Sequence, residues 1–417
     1  MPMHFHESQL AARIQPSLTL AVTNLVAELR RQGKNVIDLG AGEPDFNTPE
    51  PVKNAAVEAI HKGKTKYTPN TGTIALREAI AAALKKEYGA VYQPSEIIVS
   101  NGAKQSIYNA ILATCNPGDE VILPAPYWVS YPEQIRMAGA TAKIVINPDS
   151  DDFKLTPARL RAAISPKTKL LILNSPSNPT GAVYTTDELQ ALVDIIRQHE
   201  FLVLSDEIYV KLVYDGIETT SLCAFPEIRD RLILVNGFSK SYAMTGWRLG
   251  YAAAPQAVVK AMDKIQSHTT SNACSISQEA GLAAISGSQE AVEKMRQQFD
   301  ERRRFVHQAL SNMPGIAVRL PKGAFYMFIN VAPLLGMNEV PAVGFDPAKL
   351  WGREVNGKKI QLPSDLCQYL VEHAGVALVA GEAFGSMFHM RLSYATDMKT
   401  LQEAMKRLEK AFGEIMK

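Results

Sequence analysis

One lysine in this chain stands where it can do chemistry. Lys240 lies in NGFSKSYAMTGWRLG, residues 236–250, directly after the apolar, strand-like run from Arg231 to Val235. A lysine is ordinarily a solvated point charge on the surface. This one is followed eight residues on by Arg248, and Gly237, Gly246 and Gly250 allow backbone to approach a bound group closely. An amine that attacks aldehydes, beside a guanidinium that grips a phosphate through two parallel hydrogen bonds, is equipment for holding a phosphorylated aldehyde covalently.

The spacing S-K-x-x-x-x-x-G-x-R-x-G, Ser239 to Gly250, resembles the cofactor-attachment signature of class I aminotransferases, which use pyridoxal 5'-phosphate. The resemblance implies that Lys240 carries that cofactor, that Ser239 joins its binding set and that Arg248 holds its phosphate. Other segments supply matching chemistry in chain order. SNGAKQ opens a helix near Gln105, so the N–H groups of Ala103 and Lys104 form an anion site. PAPYWVSY offers Trp128 as a flat face to stack on a pyridine ring. In NSPSNPTG, Pro179 restrains Asn178, whose side chain can donate to a phenolate oxygen. In SDEIY, Asp206 directly follows a buried run, where a carboxylate needs a cation such as a protonated pyridine nitrogen. Tyr209, three residues on, is expected on the same helical face, reaching the ring oxygen.

Substrate contacts follow the same logic. Arg391 in HMRLSYA interrupts an apolar strand, where a guanidinium is expensive without a carboxylate, and the resemblance assigns it the substrate α-carboxylate. It also implies that Gly42 in VIDLGAGEPDF closes over the substrate, joined by Lys104, Trp128 and Asn178. Tyr67 in KTKYTPNTG would donate to the cofactor phosphate of a neighbouring subunit, which implies a homodimer with shared active sites. Two departures matter. Many class I members carry a serine three residues before the lysine, where this chain has Gly237, so one phosphate hydrogen bond is expected to be missing. The arginine that eukaryotic-type aspartate enzymes use for the side-chain carboxylate has no counterpart in IQSHTTSNACSISQ, residues 265–278. In the bacterial and archaeal subgroup, which this chain resembles, a lysine does that work. Lys104 fits, with Ser17 and Thr19 in support. The expected reaction is transamination of L-aspartate with 2-oxoglutarate to oxaloacetate and L-glutamate. Prephenate or aromatic substrates, or a pyridoxal-phosphate lyase, remain the alternatives.

The elements that must position these residues are also visible. Apolar runs Glu96–Val99, Glu120–Leu123, Lys143–Ile146, Lys169–Leu173, Phe201–Leu204, Leu232–Val235 and Leu249–Ala253 alternate with helical patterns. They predict an α/β fold with a mostly parallel sheet, the fold-type I arrangement, whose ligands gather at the carboxyl ends of the strands. With 417 residues, 46% of them hydrophobic, the chain exceeds one core. The expected division is an arm and part of a small domain in 1–45, a large cofactor-binding domain in 46–295 and a small domain in 296–417, with a loop-like insertion near 332–362. Ser8–Gln32 reads as an arm leading into a helix, and Ser275–Met313 as helix broken at Ser286–Ser288. The run Glu301–Arg304 reads as a solvated face.

Composition narrows the function classes. Lysine and arginine total 44 against 42 acids, a net charge of +2, with no basic block for nucleic acid or a membrane surface. The four cysteines lack C-x-x-C spacing, which fits a reducing compartment and neither a zinc site nor a disulfide framework. His4 and His6 belong to a frayed terminus rather than a metal site. No 18-residue apolar run occurs and MPMHFHESQ lacks a signal-peptide pattern, so a cytoplasmic location is expected. G-x-G-x-x-G after a strand and G-x-x-x-x-G-K-[ST] are both absent, which removes the common dinucleotide and P-loop folds.

Overall fold

The computed structural model describes residues 6–337, 352–355 and 357–417. All seven apolar runs enter one sheet. Its order is Ile97–Ser100, Gly250–Ala253, Leu232–Gly237, Leu202–Asp206, Thr168–Asn174, Glu120–Ala125 and Thr141–Ile146. Gly250–Ala253 runs antiparallel to both neighbours, and the remaining pairs are parallel. Continuous apolar strands form because both faces are covered. Leu171, Leu173, Val203, Leu232 and Leu234 enter one buried cluster, while the alternating Leu170, Ile172, Leu204, Ile233 and Val235 enter another. A one-residue shift of register would exchange the two sets.

A further core lies beside this sheet. Its four-stranded antiparallel sheet has the order Val379–Ala380, His389–Ser393, Tyr326–Asn330 and Ala317–Val318. Helices Glu290–Ser311 and Met398–Ile415 pack here through Phe299, Val306, Leu401 and Leu408. Ile37–Asp38 pairs in parallel with Val376–Ala377, which carries the N-terminal segment to this core. The expected boundary at residues 295 and 296 falls inside the 22-residue helix Glu290–Ser311. Near the N-terminus, the hydroxyls of Ser8 and Ser17 cap helices Gln9–Arg13 and Leu18–Arg31.

Two expectations need correction. The run Glu301–Arg304 is not a uniformly solvated face, because helical spacing turns Arg302 and Arg303 inward. Arg303 is fully buried and bonds both oxygens of Asp215 at 2.9 and 2.7 Å, Asp300 at 2.8 Å and the Pro321 carbonyl at 2.7 Å. Arg302 grips Asp45 at 2.7 and 3.0 Å, so carboxylates compensate both buried charges. Residues 208–211 form a turn, so Tyr209 shares no helical face with Asp206. Of the stretch 332–362, the described residues include the single turn Ala332–Leu335 and a hairpin of Arg353–Val355 with Lys358–Ile360. Its residues 338–351 lie outside the described residues. Among the described residues no helix is long and apolar enough to cross a membrane.

Candidate active site

A cavity of about 300 Å³ opens where the carboxyl ends of the parallel strands face the second core. Lys240, Arg248, Ser239, Ala103, Lys104, Trp128, Asn178, Asp206, Tyr209, Gly42 and Arg391 all line it, together with Asn174, Tyr131 and Tyr326, whereas Tyr67 and Ser17 do not. Lys240 is half-buried in a turn-rich segment just past the strand Leu232–Gly237, with its Nζ donating to the Gly42 carbonyl at 2.5 Å. Removal from water pushes its ammonium pKa down to about 8; Arg391, Arg248 and Lys104 add to the fall and Glu43 opposes it. An amine poised there is available as a nucleophile near neutral pH.

One end of the cavity is built for an anion. Helix Ala103–Thr114 begins here, leaving the first-turn N–H groups of Ala103 and Lys104 without intrahelical partners. Arg248 stands beside it in the left-handed region at φ 51°, held by the carbonyls of Thr245 at 2.9 Å and Asn101 at 3.5 Å. Two glycines make the room. A Cβ on Gly102 would lie 2.6 Å from the Arg248 guanidinium, and one on Gly250 would lie 2.2 Å from the Ala103 nitrogen. Ser239 lines the cavity and is buried. A side chain at Gly237 would be crowded: its Cβ would meet Gly250 Cα at 3.0 Å and the Leu249 carbonyl at 3.1 Å.

The cavity floor carries Asp206, buried, with Oδ2 accepting from the Tyr131 hydroxyl at 2.7 Å and Oδ1 from the Ile208 N–H at 3.2 Å. Burial raises its pKa to about 6, against those two hydrogen bonds and the nearby Lys240. Trp128 meets Tyr131 edge to face at 5.3 Å, and Lys104 Nζ lies 4.9 Å above the Trp128 ring. Desolvation and Arg248 lower the Lys104 pKa. Asn174 ties the floor together, donating to the Asp206 carbonyl at 2.9 Å and accepting from the Asn178 N–H at 2.8 Å.

Across the cavity stands Arg391, 2% exposed. It donates to Asn178 Oδ1 at 3.0 Å and the Gly40 carbonyl at 2.7 Å, and lies over the rings of Tyr326 and Phe384. Its buried Nε has no partner among the described residues. A guanidinium so placed leaves a vacant position for a carboxylate. The Tyr209 hydroxyl reaches Tyr326, 2.9 Å away. Thr19 also lines this cavity, whereas Ser17, 2.9 Å from it, lines an adjoining cavity of about 700 Å³ that shares Lys104 and Arg248. Tyr67 is 90% exposed and outside the cavity. Tyr131, Asn174 and Tyr326 escaped the sequence reading; the first two sit within the very motifs PYWVSY and NSPSN that flagged their neighbours.

The fold and this cavity define an α/β protein with a desolvated lysine amine between a helix N-terminus flanked by Arg248 and a buried acid. Residues 34–408 match the family described as aminotransferase class I and II, and the chain belongs to it. Among its relatives, an aspartate aminotransferase of Geobacillus stearothermophilus is 44% identical over 400 residues, spanning 96% of this chain and 97% of that protein. A bifunctional aspartate aminotransferase and glutamate/aspartate-prephenate aminotransferase of Petunia hybrida is 46% identical over 406 residues, 96% of this chain and 82% of that one. Among solved structures, aspartate aminotransferase from Rhizobium meliloti superposes with a TM-score of 0.92 at 40% identity, covering 99% and 100% of the two chains. The Thermus thermophilus enzyme solved with maleate gives 0.88 at 39% identity, covering 98% and 100%. Pyridoxal 5'-phosphate is the cofactor of this family, and the lysine, anion cradle and buried acid fit its aldehyde, phosphate and ring nitrogen.

Proposed function

We propose that this chain transfers the amino group of L-aspartate to 2-oxoglutarate, giving oxaloacetate and L-glutamate. The observation that carries the reading is Arg391, a buried guanidinium with a free Nε, facing a cavity that also presents Lys104 and Lys240. Two cationic side chains flanking one reactive amine suit a dicarboxylic amino acid. The Thermus thermophilus relative was solved with maleate, itself a dicarboxylate. Prephenate also carries two carboxylates, and the Petunia hybrida relative is named for it, so prephenate is the second substrate to test.

Pyridoxal phosphate, when bound, supplies the electron sink that weakens the substrate Cα–H bond. Lys240 would hold the cofactor through its Nζ, and once free that amine could take a proton from the substrate Cα and give it back. Asp206 keeps the ring nitrogen protonated. Asn178 and Tyr209 would hold the ring oxygen, Trp128 would offer its face to the ring, and Ala103, Lys104, Ser239 and Arg248 would hold the phosphate. Arg391 orients the α-carboxylate, Lys104 with Thr19 and Ser17 the side-chain carboxylate, and the Gly42 backbone covers the substrate. The 90% exposed Tyr67 has no task within one protomer, which supports a homodimer in which it completes the partner's phosphate site; the expected location is the cytoplasm.

The test is Lys104→Ala, assayed with aspartate and with alanine. A selective fall of about 100-fold in kcat/KM for aspartate is expected from losing one charge-assisted contact. Equal losses for both substrates would refute the dicarboxylate assignment.

A further inference from the structure

Tyr131 is given no role by the motif that ends on it, yet it is 1% exposed and its phenol donates to Asp206 Oδ2 at 2.7 Å. It comes from the first turn of helix Ser130–Met137, while Asp206 ends a strand of the central sheet. The ring of Tyr131 is in turn set edge to face against Trp128. Asp206 is thus gripped at three points: Oδ2 by Tyr131, Oδ1 by the Ile208 N–H, and its carbonyl by Asn174.

Resting on the assignment of Asp206 to the cofactor ring nitrogen, we propose that Tyr131 is a positioning residue that sets how strongly Asp206 holds that nitrogen protonated. The physical argument is competition. Burial alone favours the neutral acid, and a phenol that can donate to the carboxylate favours the ion. The other titratable groups facing Asp206 are Lys240, which favours the ion, and Tyr209 and Glu207. Glu207 spends its bonds elsewhere, on the Ser205 hydroxyl at 2.8 Å and the Leu222 N–H at 3.1 Å. Tyr209 bonds Tyr326. Tyr131 is therefore the side chain whose hydrogen bond fixes both the rotation and the charge of Asp206. Because it also meets Trp128 edge to face, the same residue couples the Trp128 face to the Asp206 anchor.

The experiment is a pH titration of the near-visible absorption band of the cofactor-loaded enzyme. A positive charge on the ring nitrogen makes the covalent lysine–cofactor nitrogen a weaker base, so weakening Asp206 must move the transition to higher pH. Tyr131→Phe is expected to raise it by about half to one pH unit, with kcat for aspartate down roughly tenfold and KM little changed. In an Asp206→Asn background the same substitution should shift nothing further. A fluorinated, more acidic tyrosine incorporated at 131 should move the transition the opposite way, which tests the idea even if Tyr131→Phe fails to fold. An unmoved transition, or an equal shift in the Asp206→Asn background, would overturn the proposal. Failure of the wild-type chain to develop any band on loading would instead strike the cofactor assignment itself.

Discussion

Asp206→Asn provides a test that needs no catalysis, because a carboxylate kept for a cation is a burden on the apo-protein. Its pKa stands at about 6 in the fold against 3.8 ordinarily. Below pH 3.8 both folded and unfolded chains carry the proton and burial costs nothing through this group. Above pH 6 both are ionised and the full penalty applies: about 2 pKa units, or about 3 kcal/mol. Asparagine keeps the shape without the charge: its oxygen can accept from the Ile208 N–H while its NH2 donates to the Tyr131 hydroxyl, which can accept as well as donate. Apo Asp206→Asn should therefore resist urea better than the apo wild type by up to about 3 kcal/mol at pH 8, shrinking to about 1 kcal/mol at pH 4.5. Cofactor reverses the order, since its protonated ring nitrogen pairs with the carboxylate and has nothing to pair with in the amide. The assay is urea unfolding of both apo-proteins at the two pH values, at one protein concentration, repeated with saturating pyridoxal phosphate. A variant less stable than wild type at pH 8, or a gap that does not change with pH, would refute the view that Asp206 is held ready for a cation.

Lys240 makes the opposite kind of prediction. With its ammonium pKa near 8, apo-protein should capture the cofactor faster as pH rises through about 8 and level off above, and borohydride should fix the cofactor to wild type but not to Lys240→Ala; a midpoint near 10 would mean that the amine is solvated. Arg391→Gln removes the free guanidinium corner, so kcat/KM for aspartate should drop about 100-fold. The melting temperature should hold or rise, because the buried charge has no carboxylate partner among the described residues, and steady-state kinetics with calorimetry checks both. Gly237→Ser introduces the serine that the class I signature leads one to expect there, yet its Cβ would sit 3.0 Å from Gly250 Cα. It should lower stability by roughly 1–2 kcal/mol with no gain in cofactor affinity, measured by urea unfolding and equilibrium dialysis.

What the sequence reveals, and what it hides, follows from how each residue relates to its surroundings. The seven strands were legible because a strand covered on both faces is an uninterrupted apolar run, as in Lys169–Leu173, and such runs leave little else for the chain to do. Lys240, Asp206 and Arg391 were legible for the converse reason: each is a charge set in or directly after apolar sequence, a placement that needs a partner. Tyr131, Asn174 and Tyr326 contradict nothing around them. A phenol in apolar sequence is ordinary core, and only its 2.7 Å bond to a buried acid sets Tyr131 apart. The run Glu301–Arg304 misled for a related reason, since Asp45 and Asp215, which compensate its buried arginines, are remote in sequence and a local charge pattern cannot show them. Tyr67 is a third kind of case. Its surroundings within one protomer are solvent, so neither its sequence context nor its own fold gives it a task, and its assignment rests on a surface that only a second copy of the chain can supply.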